Sequence, residues 1–295
     1  MKKRLSKDPR RRKFLKDLAA GALVFALPPG TALSETRIPP KKPRVGIQLW
    51  TLRQEIETDP RGTLKRIAEL GFAGVETAFF SGEFSLKKAP QLLKEFGLPV
   101  CSAHCELPAG AQKKAFLEMA AAFGCDRMVW HGWPMDPRYQ TLAGTRKLAE
   151  IYNEANHFAK SHGLKFGLHN HWWEFEKQKD GHYPYQVLLE SLDQDVFFEL
   201  DTYWAKAAGQ DPVQIVGQLA KRVPLMHIKD GSGDKESPMV AIGTGVQNVK
   251  GIVSASQNHV EWLIVEFDTC ATDIFVALKE SYRYLTQNGL GEGRV

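Results

Sequence analysis

The chain has 295 residues, of which 43% are hydrophobic and 25% charged, the proportions of an ordinary globular protein. Its net charge of +5 is uneven: residues 1–34 hold nine Lys or Arg and two Asp, leaving −2 for the remainder. A mildly acidic body gives no electrostatic reason to expect nucleic-acid binding.

The positive charge belongs to a leader. Arg11-Arg12-Lys13-Phe14-Leu15-Lys16 precedes the apolar run Leu18–Leu27, and Ala32-Leu33-Ser34 offers small residues for cleavage. The apolar run is about ten residues, short of the roughly 20 that span a bilayer. Residues 1–34 therefore resemble a twin-arginine signal peptide, with Arg10 where Ser or Thr is usual. The expectation is export by the twin-arginine translocase, to the periplasm or beyond. Residues 35–44 follow as a linker made semi-rigid by three prolines, and 45–290 remain as one domain.

Eight strand candidates then alternate with helical patterns. Val45–Leu49 leads to a helix over Pro60–Leu70, with Asp59 as N-cap and Gly71 as C-cap. Gly74–Thr77 leads to Leu86–Phe96, and Val100–His104 to Ala109–Phe123. Arg127–His131 leads to the long amphipathic Leu142–His162, closed by Gly163. Lys165–His169 is followed by Tyr185–Leu192, and Phe197–Asp201 by Pro212–Ala220. Leu225–His227 is followed by a long loop and a helix near Val249–Gln257. Trp262–Glu266 leads to Asp273–Gln287. Eight such units in a body of this size predict a single-domain α/β fold, the (β/α)₈ TIM barrel. An open doubly wound sheet would carry a Gly-rich phosphate turn after its first strand. Here Trp50-Thr51-Leu52-Arg53 stands in that place.

Four strands end on potential metal ligands: His169, Asp201, His227 and Glu266. A buried strand interior does not accept such groups unpaired, and a barrel keeps its site at the C-terminal ends of its strands. Two carboxylates and two imidazoles suit one divalent ion: Mn²⁺, Co²⁺, Zn²⁺ or Mg²⁺. His104 and His131 close the third and fourth strands and are candidate substrate contacts, with further ligands or acid/base groups as alternatives, and Glu76 on the second either orients a neighbour or binds substrate. His169-Asn170-His171-Trp172-Trp173-Glu174 is dense in functional groups. His169, His171 and Glu174 each qualify as fourth ligand, and Trp172 and Trp173 as sugar-stacking or packing residues. Lys229 shares the inward parity of His227 and is placed to bind an oxyanion or carboxylate. Gly243-Thr244-Gly245 fits a plain turn or a phosphate loop. The four cysteines, Cys101, Cys105, Cys125 and Cys270, form no C-x-x-C pair and read as buried free thiols.

From about Arg44 to Leu285 the chain resembles the xylose isomerase-like barrels, the sugar phosphate isomerase/epimerase and endonuclease IV superfamily. The resemblance lies in Gly46–Arg53, Gly71–Glu76, Ser102-Ala103-His104, His169-Asn170-His171, Leu200-Asp201-Thr202, His227-Ile228-Lys229-Asp230 and Val265-Glu266. It implies one divalent metal held by a Glu, an Asp, a His and a second Glu, the last three being Asp201, His227 and Glu266. His169 replaces the first Glu. That glutamate is also a catalytic acid/base in the isomerases, so the replacement puts two-carboxylate proton transfer in doubt. Trp204 stands where many relatives have a histidine, which weakens the endonuclease reading.

The resemblance implies an isomerase or epimerase of a keto sugar, working by proton abstraction α to a carbonyl through a metal-stabilised enediolate, and the expected export favours a sugar without phosphate. Glu266, His169, His171 and Glu174 are the candidate proton carriers. A lyase that eliminates the aglycone of a 3-keto-glycoside shares the first step. A non-enzymatic sugar-binding protein is the third reading. All three take a small sugar or glycoside as partner, and the barrel class allows an oligomer.

Overall fold

In a computed structural model, residues 42–78, 82, 84–256 and 259–294 are described. The leader, most of the linker and Gln257 of one expected helix lie outside the described residues. Eight strands form the barrel: β1 Arg44–Gln48, β2 Gly74–Thr77, β3 Val100–Cys105, β4 Arg127–Trp130, β5 Lys165–His169, β6 Phe197–Asp201, β7 Leu225–Ile228 and β8 Trp262–Val265. Each pairs in parallel with its sequence neighbours, and β8 closes on β1.

Helices cover the outside at the expected places. Pro60–Leu70 has the expected bounds: Asp59 accepts the Gly62 N–H, and Gly71 takes a left-handed φ of 97°. The expected helix at Leu86 begins at Ala89, and the one expected at Ala109 begins at Gln112. Some strand ends move by one residue because the chain turns there toward the mouth. Leu49 already belongs to a 3₁₀ turn, whose Trp50 N–H is taken by the Gln48 side chain. His131 and Glu266 likewise stand just beyond β4 and β8. Two short helices have no counterpart in the sequence reading, Arg53–Thr58 and Thr202–Ala207. The second is nucleated by Asp201, whose Oδ1 accepts the N–H groups of Tyr203 and Trp204 at 2.9 and 3.0 Å.

The barrel interior is layered. Its N-terminal end is filled by Ala73, Cys101, Val129, Phe197, Leu225, Trp262 and Ile264. Two rings fill that floor because glycines stand beside them. A Cβ on Gly74 would meet Trp262 at 2.8 Å, and one on Gly167 would meet Phe197 at 2.2 Å. Polar groups begin one layer above this floor. Cys101, Cys105 and Cys125 are buried and unpaired as expected, while Cys270 is half-exposed. Burial pushes the Cys101 and Cys105 thiols well up and the Cys125 thiol to about 11, which keeps them protonated and unreactive.

Candidate metal centre

Strand register decides which side chains meet. Asp201 pairs with His227 across β6 and β7, whereas His169 pairs with Glu199 across β5 and β6. Side chains on one strand face the interior at every second residue, so Glu199 and Asp201 both point inward. Glu199 is the functional residue that sequence reasoning missed.

The inner layer centres on Glu199 and Glu76, both fully buried. His104 Nε2 lies 2.6 Å from Glu199 Oε2 and 3.2 Å from Glu76 Oε1. His169 Nδ1 and His227 Nε2 each lie 3.3 Å from Glu199 Oε2. His227 Nε2 is 2.7 Å from Glu76 Oε1, and its Nδ1 is 2.7 Å from Glu266 Oε2. Gln48 and Ser102 donate to Glu76 at 2.6 and 2.5 Å.

The outer layer centres on the Lys229 ammonium. It lies 2.9 Å from Asp201 Oδ2, 2.8 Å from Glu266 Oε2 and 2.6 Å from Asp268 Oδ2. Trp204 is buried with its ring 5.2 Å from that ammonium. Indole faces attract cations, so Trp204 supports Lys229 and offers no ligand atom.

Charges follow from this packing. Burial pushes the Glu199 carboxyl well up, and Glu76 pushes it further. Burial also pushes Glu76 up, but His104, a hydrogen bond from Glu199 and His227 outweigh it and hold Glu76 at about 2. Burial raises Asp201 against the pull of Lys229. Glu266 is held well below the carboxylate range because Lys229 and His227 outweigh its burial. Burial opposes charge on His227, yet Glu199, Glu266 and Glu76 together raise it well above the usual range. His104 is lowered to about 4 and His169 far below, in both cases chiefly by burial.

A divalent ion fits this donor set. His169, Asp201, His227 and Glu266 place ligand atoms within 4.8 Å of one another, and so do His104, His169, Glu199 and His227. His169 Nδ1, Glu199 Oε1 and Asp201 Oδ2 are buried without a hydrogen-bond partner; the last is in ion-pair range of Lys229 but out of line for a hydrogen bond. Lys229 offsets only one of the charges on Asp201, Glu266 and Asp268. Buried polar atoms left unpaired are costly, and mixed imidazole–carboxylate donors suit borderline divalent metals. A metal at His227 displaces the proton held there.

The other candidate residues ring this centre. Asn170, between the two histidines, accepts the Asp201 N–H at 2.9 Å and donates to the Asp201 carbonyl at 3.2 Å. His171 stacks on Trp173 with ring centroids 4.3 Å apart. Its Nδ1 is buried without a hydrogen-bond partner, and burial holds its pKa far down. Glu174 accepts the His171 N–H at 3.0 Å and belongs to neither metal-competent group. Burial pushes its carboxyl up to about 8. Trp173 is buried with one ring face against His171, and Trp172 packs between Trp173 and Trp204. His131 stands at the rim, 3.2 Å from Glu106 and accepting the Trp133 N–H.

The loop Gly243-Thr244-Gly245 is the plain turn of its two readings and not a phosphate site. The buried Asp230 carboxylate accepts the N–H groups of Gly231, Gly243, Gly245 and Gln247 at 2.9 to 3.0 Å. A carboxylate of this chain already fills the place of an anion there. Those amides are spent, and a fixed negative charge opposes phosphate.

The fold and site define a (β/α)₈ barrel with a buried imidazole–carboxylate centre at its C-terminal mouth. Residues 64–285 match the family of xylose isomerase-like TIM barrels, and the chain belongs to that family. A sugar phosphate isomerase/epimerase from Parabacteroides distasonis ATCC 8503 is similar in structure, with TM-score 0.71 and 24% identity over 90% of this chain and 100% of that one. A 3-keto-D-glucoside 4-epimerase from E. coli gives TM-score 0.61 and 17% identity over 83% and 100%. An L-ribulose 3-epimerase gives 0.60 and 16% over 84% and 94%. At these identities the likeness is one of fold. No curated protein matches the sequence.

Proposed function

We propose that the chain is a divalent-metal-dependent isomerase or epimerase of a non-phosphorylated keto sugar, and that it removes a proton from the carbon beside a carbonyl. The observation that carries this reading is the buried convergence of His169, Asp201, His227, Glu266 and Lys229 at the barrel mouth. A divalent ion held by the first four residues supplies a Lewis acid for adjacent sugar oxygens. Lys229 is engaged by three carboxylates and so positions Asp201 and Glu266 around that ion instead of binding a substrate oxyanion.

Glu266 is held by His227 and Lys229 and carries a proton on one side of the sugar. A strand-5 group, His169, His171 or Glu174, serves the other side. His171 suits that role because its Nδ1 is unengaged and its ring is fixed against Trp173. His104 and His131 bind hydroxyls, whereas Glu76, fully buried and engaged by Gln48, Ser102 and His227, orients His227 and does not reach the sugar. The occupied loop at Gly243–Gly245 supports a substrate without phosphate.

The test is incubation of residues 35–295, loaded with Mn²⁺ or Co²⁺, with free ketoses and 3-keto-glucosides in D₂O. Deuterium entering beside the carbonyl, with any aglycone retained, supports isomerase or epimerase chemistry. Aglycone release with an unsaturated sugar supports the lyase, a second reading favoured by an exposed indole at the mouth described below. Neither exchange nor aglycone release in protein that holds its metal overturns both.

A further inference from the structure

Trp133 is the most exposed of the large apolar side chains among the described residues, at 55%, and Met135 on the same loop is exposed at 42%. An indole carries a large apolar face whose burial drives binding.

Trp133 is fixed. Its backbone N–H donates to His131 Nδ1 at 3.1 Å, which holds the loop, and the ring itself is held against His171 and Trp173. The preceding Gly132 takes a φ of 75°, and a Cβ there would lie 2.9 Å from the His169 carbonyl. The loop is thus pressed against β5 beside a candidate metal ligand. The Trp133 ring lies 5.7 Å from His171 and 5.6 Å from Trp173. His171 in turn lies 5.1 Å from His169, and His169 lies 4.6 Å from His227. Two ring-to-ring steps lead from the exposed indole to the metal centre, a separation suited to the next ring of a glycoside.

We propose that Trp133 is the platform of an outer subsite that takes the second ring of a glycoside, its aglycone, while the reacting sugar lies at the metal centre. This rests on the sugar-site reading above and adds that the substrate is a glycoside. Glu106 and His131, 3.2 Å apart at the rim, stand beside the platform and can bind hydroxyls of that ring.

The test reads binding and needs no turnover. Unreactive methyl β-glucoside, phenyl β-glucoside and cellobiose are titrated calorimetrically into the Mn²⁺-loaded mature protein and its Trp133→Ala and Trp133→Phe variants. The two-ring ligands are expected to bind roughly five- to tenfold tighter than methyl glucoside, the range an aromatic stack supplies. Trp133→Ala removes that advantage, Trp133→Phe keeps part of it, and methyl glucoside is unchanged in both. Circular dichroism checks that the variants fold. Equal affinity for one and two rings in the parent protein, or an advantage that survives Trp133→Ala, overturns the subsite alone. Failure of every glycoside to bind overturns the subsite and the sugar-site reading together.

Discussion

His169 lies level with Glu199, not with Asp201, across the β5–β6 ladder. The strand-5 histidine therefore lies beside a carboxyl group one layer deeper than Asp201, delivered from the next strand.

This stagger produces two overlapping ligand groups that share His169 and His227. His227→Ala is expected to weaken Mn²⁺ binding by on the order of 100-fold or more, because both groups lose a ligand with it. Glu199→Gln is expected to weaken it by about tenfold or more, the scale on which neighbours of a metal shell act. Calorimetric titration of metal-free protein measures both. A His227→Ala variant that titrates like the parent places the metal elsewhere.

Lys229 holds three carboxylates together, so Lys229→Met leaves buried charge uncompensated. The expected loss is roughly 3–5 kcal/mol, read as a lower urea midpoint. A divalent ion replaces the missing charge in part, so the loss is smaller in Mn²⁺ than in EDTA. Equal losses in the two conditions would sink this account of the outer layer.

Glu174 makes stability fall as pH rises. Its carboxyl is pushed up from 4.5 to about 8 in the folded protein. Between those values the folded state keeps a proton that the unfolded state has released, so stability declines with rising pH and levels off above about 8. Glu174→Gln removes the effect, and Gln still accepts the His171 N–H. The variant should match the parent near pH 4 and exceed it increasingly up to pH 8, by at most about 5 kcal/mol. Melting curves across that range check the sign; a constant difference would refute it.

Gly167 is required by Phe197, not by its backbone angle. Gly167→Ala places a methyl group against the ring and is expected to cost about 1–3 kcal/mol by overpacking. Adding Phe197→Leu should recover part of that loss. A double-mutant cycle in urea measures the coupling, and purely additive effects would exclude the contact as the cause.

The sequence makes the barrel legible because each strand is short, apolar and closed by a polar residue, and because caps such as Asp59 and Gly71 bound their helix. His169, Asp201, His227 and Glu266 are legible for the same reason: each ends or closely follows a strand. Glu199 is hidden between Phe198 and Leu200 in a run that reads as plain core. Its only signal is its shared parity with Asp201. The role of Asp230 is hidden because a G-x-G loop looks alike whether its anion is a ligand or a side chain from 13 residues earlier. Trp133 is hidden because nothing local in Gly-Trp-Pro-Met determines whether a loop indole faces water.

The leader makes a separate prediction. Replacing Arg11 and Arg12 together by Lys should hold the chain in the cytoplasm at its full length, read by cell fractionation and blotting. Undisturbed export of that variant would rule out the twin-arginine route.

The rings of Phe197 and Trp262 that plug the barrel floor turn the centre into a cul-de-sac. Whatever reaches His169 and Glu266 has to leave past the same lip by which it came. A cleaved aglycone resting on Trp133 would then stand in the doorway, and the sugar behind it would depart second. Release would be ordered by architecture, and the sugar, last to leave the free site, would be the product that competes with the next arrival.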